Sequence, residues 1–261
     1  MKKRFMSFLL AVSVCLGFGG CTSEEIAPQE SKSTNTYAVV VGMENSNFAG
    51  ACPGAGYDAD RMYKLLSAYT PNIVLYRDSN ATKANVVAAL KRAVANAKDG
   101  LVIFSYSGHG GSEPFYDTGK EEVDGKDEFL CLYDTYMRDN EIWEIIRQSN
   151  GRVFLCFDCC HSQTMFRTIG FKVKPPLSWD HTLNELQGFS MLCWSGCPDD
   201  TYSYGASTGG QFTNALLRHF DSRKSYEALW EEIKRDKTLR VYENPQSTVL
   251  GNGFSGKAIF R

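Results

Sequence analysis

Residues 101–111 read LVIFSYSGHGG, and residues 152–162 read RVFLCFDCCHS. In each stretch a continuous apolar run ends in a short segment that contains glycine, histidine or cysteine. Uninterrupted apolar runs of this length are typical of parallel strands that helices cover on both faces. We therefore expect two buried parallel strands, with functional side chains in the loops that follow their carboxyl ends.

Strands and helices alternate along the rest of the chain. Further strands are predicted at 37–42, 72–76, 129–133 and 189–194, and helices at 58–69, 82–97, 140–148, 210–220 and 225–237. The intervening stretch 108–128 is rich in glycine and acidic residues and carries no periodic pattern. Such alternation predicts a single α/β domain in which a parallel or mixed sheet carries helices on both faces.

The composition is that of an ordinary globular protein. The chain has 261 residues, of which 43% are hydrophobic and 22% charged, and its formal net charge is −2. A charge so close to neutral gives no electrostatic reason for nucleic acid to bind, so no nucleic-acid partner is predicted.

The N-terminus has the layout of a secretory signal peptide. A basic start (Met1 to Arg4) precedes an apolar stretch at 5–18 and small residues before Cys21. Residues 18–21, FGGC, resemble a bacterial lipoprotein box, which implies lipidation of Cys21. We expect a signal peptide at 1–21, a flexible tether at 22–36 and the main domain at 37–261. The protein would then be exported, periplasmic or on the cell surface, and held to the membrane only by lipid. Plain secretion without lipidation is the alternative.

His109 and Cys160 stand at equivalent ends of the two apolar runs, 51 residues apart. If the strands are neighbours, both side chains face one cleft. A nearby imidazole favours the thiolate form of a cysteine, which attacks carbonyl carbon, and the histidine then protonates the departing amine. The backbone N–H groups of Gly110 and Cys160 are candidates for an oxyanion hole. Among seven cysteines beyond the leader, we expect one reactive thiol and mostly buried apolar ones.

Residues 106–110 (YSGHG) and 157–162 (FDCCHS) resemble the histidine and cysteine motifs of the caspase/metacaspase family of cysteine peptidases. In that family the nucleophile precedes a His-Ser pair, which selects Cys160 over Cys159. The resemblance implies a caspase-like three-layer α/β/α sandwich with a central, mostly parallel sheet. It also implies a cysteine endopeptidase that forms a thioester acyl-enzyme and requires no cofactor.

Two more segments resemble the family's S1 pocket, which receives the substrate side chain before the cleaved bond (P1). Residues 57–62 (YDADRM) place Asp58 there, and residues 195–200 (SGCPDD) place Asp199, with Ser107 as a third member. Two carboxylates select Arg or Lys through charge-assisted hydrogen bonds, so the expected partner is a peptide or protein substrate with a basic P1 residue.

An acid-rich stretch at 121–128, followed by Asp139, resembles the calcium site of calcium-activated metacaspases. Asp124, Asp127 and Asp139 are the expected ligands for Ca²⁺ activation. Two other functions share the same motifs. One is a catalytically idle, lipid-anchored protein that binds peptides or acts as a scaffold, and the other is a thiol-dependent peptide ligase or transpeptidase.

Overall fold

The computed structural model describes residues 32–114, 126–160, 162, 189–197, 205–242 and 244–260. The predicted signal peptide, Cys21 and residues 22–31 of the predicted tether lie outside these residues. Within them, no helix is both long and apolar enough to cross a membrane.

The described elements follow one another in the order that the sequence pattern predicts, with several additions. The strands are β1 (Thr36–Gly42), β2 (Asn72–Arg77), β3 (Leu101–Ser107), β4 (Gly110–Pro114), β5 (Lys126–Cys131), β6 (Tyr136–Arg138), β7 (Arg152–Asp158), β8 (Ser190–Ser195), β9 (Gly205–Ala206), β10 (Gly209–Gly210) and β11 (Gln246–Leu250). The helices are α1 (Ala55–Leu66), α2 (Lys83–Ala97), α3 (Asp139–Ile146), α4 (Gln211–His219), α5 (Tyr226–Arg235) and α6 (Lys237–Tyr242).

Six strands form the central sheet in the order β11-β8-β7-β3-β1-β2. All neighbours run parallel except β11, which pairs antiparallel with β8 at one edge. Strands β3 and β7 are adjacent, so the two apolar runs that define the fold lie side by side. The predicted mostly parallel sheet is confirmed, with one antiparallel edge strand.

Helices cover both faces of this sheet because side chains alternate along each strand. On one face, Val39, Val102 and Phe104 pack with apolar residues of α2 and α3. On the other face, Ile103 and Phe154 pack with apolar residues of α1, α4, α5 and α6. Two separate cores on opposite sides of one sheet make the three-layer α/β/α sandwich that was predicted.

Several boundaries differ from the sequence prediction. β1 begins at Thr36, one residue inside the predicted tether, and Thr36 is buried. β4 (Gly110–Pro114) lies in the stretch 108–128, where no element was predicted, and β5 (Lys126–Cys131) begins three residues before the strand predicted at 129–133. These two strands join β6 in a small antiparallel sheet. The helix predicted at 225–237 ends earlier, as α5 at Arg235, and an additional helix, α6, follows it. Asp236 lies between the two, and its side chain accepts hydrogen bonds from the backbone of α6.

Candidate active site

The loops after β3 and β7 meet at one end of the sheet. Ser107 lies opposite Asp158 in the parallel pair, and the Gly108 N–H donates to the carbonyl oxygen of Asp158 at 3.3 Å. His109 and Cys160 follow directly, and both line a single cleft of about 450 Å³. The expectation that these two side chains share a cleft agrees with this geometry.

His109 is anchored through its ring and through its backbone. Its ring nitrogen Nε2 lies 3.1 Å from the carbonyl oxygen of Ala51. Because a carbonyl only accepts hydrogen bonds, Nε2 carries the proton in this contact, and Nδ1 is the basic nitrogen of the neutral ring. The backbone oxygen of His109 also lies 2.7 Å from the Tyr106 hydroxyl and accepts from the Cys131 N–H at 3.0 Å. These contacts fix both the position of the imidazole and its tautomer.

Of the two adjacent cysteines, Cys160 is the accessible one. Cys160 is half-buried and lines the cleft, whereas Cys159 is 1% exposed. Burial raises the pKa of the Cys159 thiol well above its usual value, which keeps that sulfur protonated. The backbone oxygen of Cys159 accepts a hydrogen bond from Ser162 at 2.9 Å. Cys159 therefore has the character of a packed structural residue, whereas the partly exposed Cys160 is open to the cleft.

Gly110 packs directly against the cysteine segment. A Cβ atom at position 110 would overlap the carbonyl oxygen of Cys160 and would lie 3.1 Å from the Cys159 sulfur. Only glycine allows the backbone of the histidine loop to approach this closely. The backbone N–H groups proposed for the oxyanion hole therefore belong to two loops in contact.

Asp58 and Ser107 lie beside each other in the same cleft. The Asp58 carboxylate accepts hydrogen bonds from the Ser107 hydroxyl at 2.9 Å and from the Gly210 N–H at 2.7 Å. Its other oxygen lies 2.5 Å from the Arg61 guanidinium, one turn along α1. Burial, and then the charge of Asp158, raise the pKa of Asp58 to about 7, although these donors oppose the shift.

Asp158 is a second cleft carboxylate, which the sequence analysis did not assign to the pocket. It ends β7, is 6% exposed and accepts a hydrogen bond from the Thr213 N–H at 2.8 Å. Gly210 packs against Asp158 while its N–H binds Asp58, so one glycine separates the two acids. The sequence could have identified Asp158: when the two predicted apolar strands are aligned side by side, Asp158 lies opposite Ser107.

Cys52 is a second half-buried thiol that lines the cleft and that sequence reasoning did not single out. Burial, and to a lesser extent the charge of Asp158, raise the pKa of the Cys52 thiol to about 12. Cys52 is therefore a neutral thiol at physiological pH and a weak nucleophile.

The remaining predicted site residues either do not line the cleft or lie outside the residues that the structure describes. Asp124 and Asp199 fall outside the described residues. Asp127 lies in β5 and Asp139 begins α3; both are buried, and the side chain of Asn140 donates to Asp127 at 3.1 Å. Across the described ranges, no group of three or more His, Cys, Asp or Glu residues is arranged to hold a metal ion. Calcium binding by Asp127 and Asp139 stays a prediction.

Comparisons with known proteins agree with this architecture. A family model described as the caspase domain of Peptidase C14 matches residues 35–247. Metacaspase-1A of Aspergillus oryzae is 26% identical over 322 residues, an alignment that covers 92% of this chain and 76% of that relative. A solved protein from Geobacter sulfurreducens superposes with a TM-score of 0.68 at 23% identity, covering 86% of this chain and 98% of the other. Caspase-1 from Spodoptera frugiperda does so with a TM-score of 0.53 at 14% identity, covering 89% and 98%. At these identities the two solved structures show the fold alone.

Proposed function

The chain belongs to the Peptidase C14 family of caspase-domain cysteine peptidases, and from that membership we propose that it is an endopeptidase acting through Cys160 and His109. The observation that carries the proposal is the common cleft lined by these two residues at the ends of adjacent strands. The exposure of Cys160 beside a buried Cys159 supports the choice of nucleophile.

The proposed reaction follows from the two side chains. The Cys160 thiolate attacks the carbonyl carbon of the peptide bond, and the N–H groups of Gly110 and Cys160 would stabilise the negative charge that the oxygen takes up. As the C–N bond breaks, His109 gives a proton to the departing amine and a thioester forms. His109 then takes a proton from water, which attacks the thioester, and the thiol and the carboxyl product are released.

We further propose that the substrate carries Arg or Lys at P1. Asp58 and Asp158 are two buried acids on one side of the cleft, next to Ser107. Carboxylates in a pocket screened from water favour a guanidinium or ammonium group and repel an acidic side chain. Arg61 already binds one oxygen of Asp58, so the P1 group would meet the other oxygen, the Ser107 hydroxyl and Asp158.

An idle peptide-binding protein of the same fold is the competing proposal. It is disfavoured because both proposed reactive side chains are present, the His109 tautomer is set by the Ala51 carbonyl, and the glycine at position 110 lets the histidine loop pack against the Cys160 carbonyl oxygen. A peptide-binding protein needs none of these three features.

Labelling by a peptidyl-arginine electrophile tests the proposal. We expect the wild-type protein to be labelled on Cys160, and Cys160→Ala to be unlabelled. Cys159→Ala and Cys52→Ala are matched controls, because both thiols have raised pKa values and neither is expected to carry the label. A well-folded wild-type protein that neither reacts nor cleaves an arginyl peptide amide would support the idle protein instead.

We also propose export and lipid anchoring through Cys21, on the signal-peptide pattern of residues 1–21. Feeding cells a clickable fatty acid should label the wild-type protein and leave Cys21→Ala unlabelled. If Cys21→Ala carries the same label as the wild type, the anchor lies elsewhere.

A further inference from the structure

Three aromatic side chains cluster close in the chain to residues that line the cleft, and we call them the aromatic shelf: Phe48, Phe129 and Tyr136. The Phe48 and Tyr136 rings meet edge to face with centroids 4.8 Å apart, and the Phe129 and Tyr136 rings lie 4.1 Å apart. Phe48 is 44% exposed, although large apolar side chains on a folded protein are mostly covered. The shelf therefore presents an aromatic surface to solvent.

The loop that carries Phe48 is held in place by hydrogen bonds. The Asp78 carboxylate accepts from the backbone N–H groups of Glu44 and Asn45 at 3.0 and 2.7 Å. The Ser46 hydroxyl donates to the carbonyl oxygen of Leu132 at 3.2 Å, and the Asn47 N–H donates to that of Tyr133 at 3.1 Å. Because the loop is fixed at both the sheet and the β5–β6 hairpin, the exposed ring of Phe48 is presented by an ordered backbone.

Two segments of the chain connect the aromatic shelf to His109. The loop of Phe48 leads to Ala51, whose carbonyl oxygen binds the His109 ring. Gly111, two residues after His109, pairs with Phe129 across β4 and β5, and a Cβ atom there would lie 2.6 Å from the Phe129 ring. A peptide that passes His109 along this side reaches the shelf next.

The chemistry fixes which end of the substrate lies there. In the proposed reaction, Asp58 and Ser107 take the P1 side chain, which precedes the cleaved bond. His109 must stand next to the departing amine, since it protonates that nitrogen. Residues on the leaving-group side of the bond, P1′ and P2′, therefore extend from His109 toward Gly111 and the aromatic shelf.

We propose that the aromatic shelf is a specificity subsite for an aromatic or large aliphatic side chain at P1′ or P2′ of the substrate. This inference rests on the proposed peptidase function and adds a second selectivity to that of the S1 pocket. The driving force is removal of apolar surface from water together with ring stacking on an ordered platform.

Paired peptides test the shelf separately from catalysis. Internally quenched peptides with Arg at P1 are made in pairs. The two peptides of one pair differ only in carrying Phe or Ser at P1′, and those of a second pair differ in the same way at P2′. A peptidyl-arginine methyl ester, whose leaving group is methanol, places no large group on the leaving side and measures catalysis alone. We expect the wild-type protein to cleave the Phe peptide with a kcat/KM about tenfold above that of the Ser peptide at one of the two positions. Phe48→Ala and Tyr136→Ala should each lower this ratio toward one, while kcat/KM for the methyl ester changes less than twofold.

Tyr57→Ala is the matched control, because Tyr57 is also a large exposed aromatic residue and precedes Asp58 in the chain rather than belonging to the shelf. It should keep the Phe-to-Ser ratio of the wild type. Equal cleavage of the Phe and Ser peptides at both positions by an active wild type would overturn the shelf and leave the peptidase function standing. No hydrolysis of the methyl ester and no electrophile labelling would overturn both proposals.

Discussion

Ser107 and Asp158 lie opposite each other at the last register position of the β3–β7 pair. This register positions both the proposed catalytic residues and part of the proposed S1 pocket. The residues two positions further along are His109 and Cys160, so the dyad sits just beyond the sheet. The Ser107 hydroxyl and the Asp158 carboxylate themselves line the pocket beside His109 and Cys160.

The first prediction concerns selection of the P1 residue by the two buried acids. Asp58→Asn and Asp158→Asn should each lower kcat/KM for an arginyl substrate about 10–100-fold, the effect expected for loss of one charge-assisted hydrogen bond. Activity toward an uncharged P1 residue should fall much less. Asp60→Asn is the control on the same helix, since Asp60 is exposed and pairs with Arg77 at 2.8 Å. Equal losses for charged and uncharged substrates would contradict a role in P1 recognition.

The second prediction is a pH dependence of the same selectivity. Burial, with the charge of Asp158, raises the pKa of Asp58 to about 7, so this acid is largely neutral below that pH and ionised above it. The ratio of kcat/KM for arginine to that for uncharged citrulline at P1 should rise as the pH increases through 7. Asp58→Asn should remove that rise. A ratio that stays flat in the wild type from pH 5.5 to 8.5 would mean that Asp58 does not contact the P1 charge.

The raised pKa of Asp58 also has a consequence for stability. Its value in the unfolded chain is close to 3.8, so between about 4 and 7 the folded protein holds the extra proton. This group therefore makes the free energy of unfolding decrease as the pH rises through that window. Denaturant titrations at several pH values should show a smaller decrease for Asp58→Asn than for the wild type.

Features that local sequence patterns determine could be predicted, whereas features that depend on pairing between distant segments could not. The apolar runs of β3 and β7 and the loops after them are local patterns, and they correctly placed His109 and Cys160 in one cleft. β4 was missed because Gly110 and Gly111 carry no apolar alternation, and its pairing with β5 is what makes it a strand. The short edge strand β11 was missed for a similar reason, since its position is set by pairing with β8.

Site contacts between distant parts of the chain were the hardest to predict. The Gly210 N–H reaches Asp58 across 152 residues, and the Thr213 N–H reaches Asp158 across 55. The partner of His109 is a backbone carbonyl, that of Ala51, which any residue type can supply. No residue pattern encodes such a contact, so only the folded structure reveals it.

The third prediction concerns the junction between α5 and α6. Asp236 accepts hydrogen bonds from the N–H groups of Thr238 and Leu239 at 2.9 and 3.2 Å, from His219 at 2.9 Å, and from Arg218. Burial alone would raise the pKa of Asp236, but these donors outweigh it and lower the pKa to about 2. Asp236→Ala should reduce the free energy of unfolding at pH 7 by about 1–3 kcal/mol.

Asp236→Asn separates the effect of the charge from that of the helix cap, because asparagine keeps one side-chain oxygen that can accept hydrogen bonds from the α6 backbone. Since the folded pKa is depressed, the charge contributes stability above about pH 4 and loses that contribution as the pH falls toward 2. The difference in unfolding free energy between wild type and Asp236→Asn should therefore shrink over that range. A difference that stays constant with pH would assign the effect to the backbone cap alone.

The fourth prediction tests the contact between the two catalytic loops. In Gly110→Ala the added methyl group would overlap the Cys160 carbonyl oxygen, which belongs to the backbone and has little freedom to move. The loops must separate, and this displaces the N–H groups that are proposed to bind the oxyanion. We expect kcat to fall about 10²–10³-fold, the usual cost of losing one such donor, while thermal unfolding shows a folded protein. Gly205→Ala adds the same group where the nearest atom lies 3.6 Å away, and its loss should be much smaller. If the two variants lose activity equally, the close approach of Gly110 to Cys160 does not support catalysis.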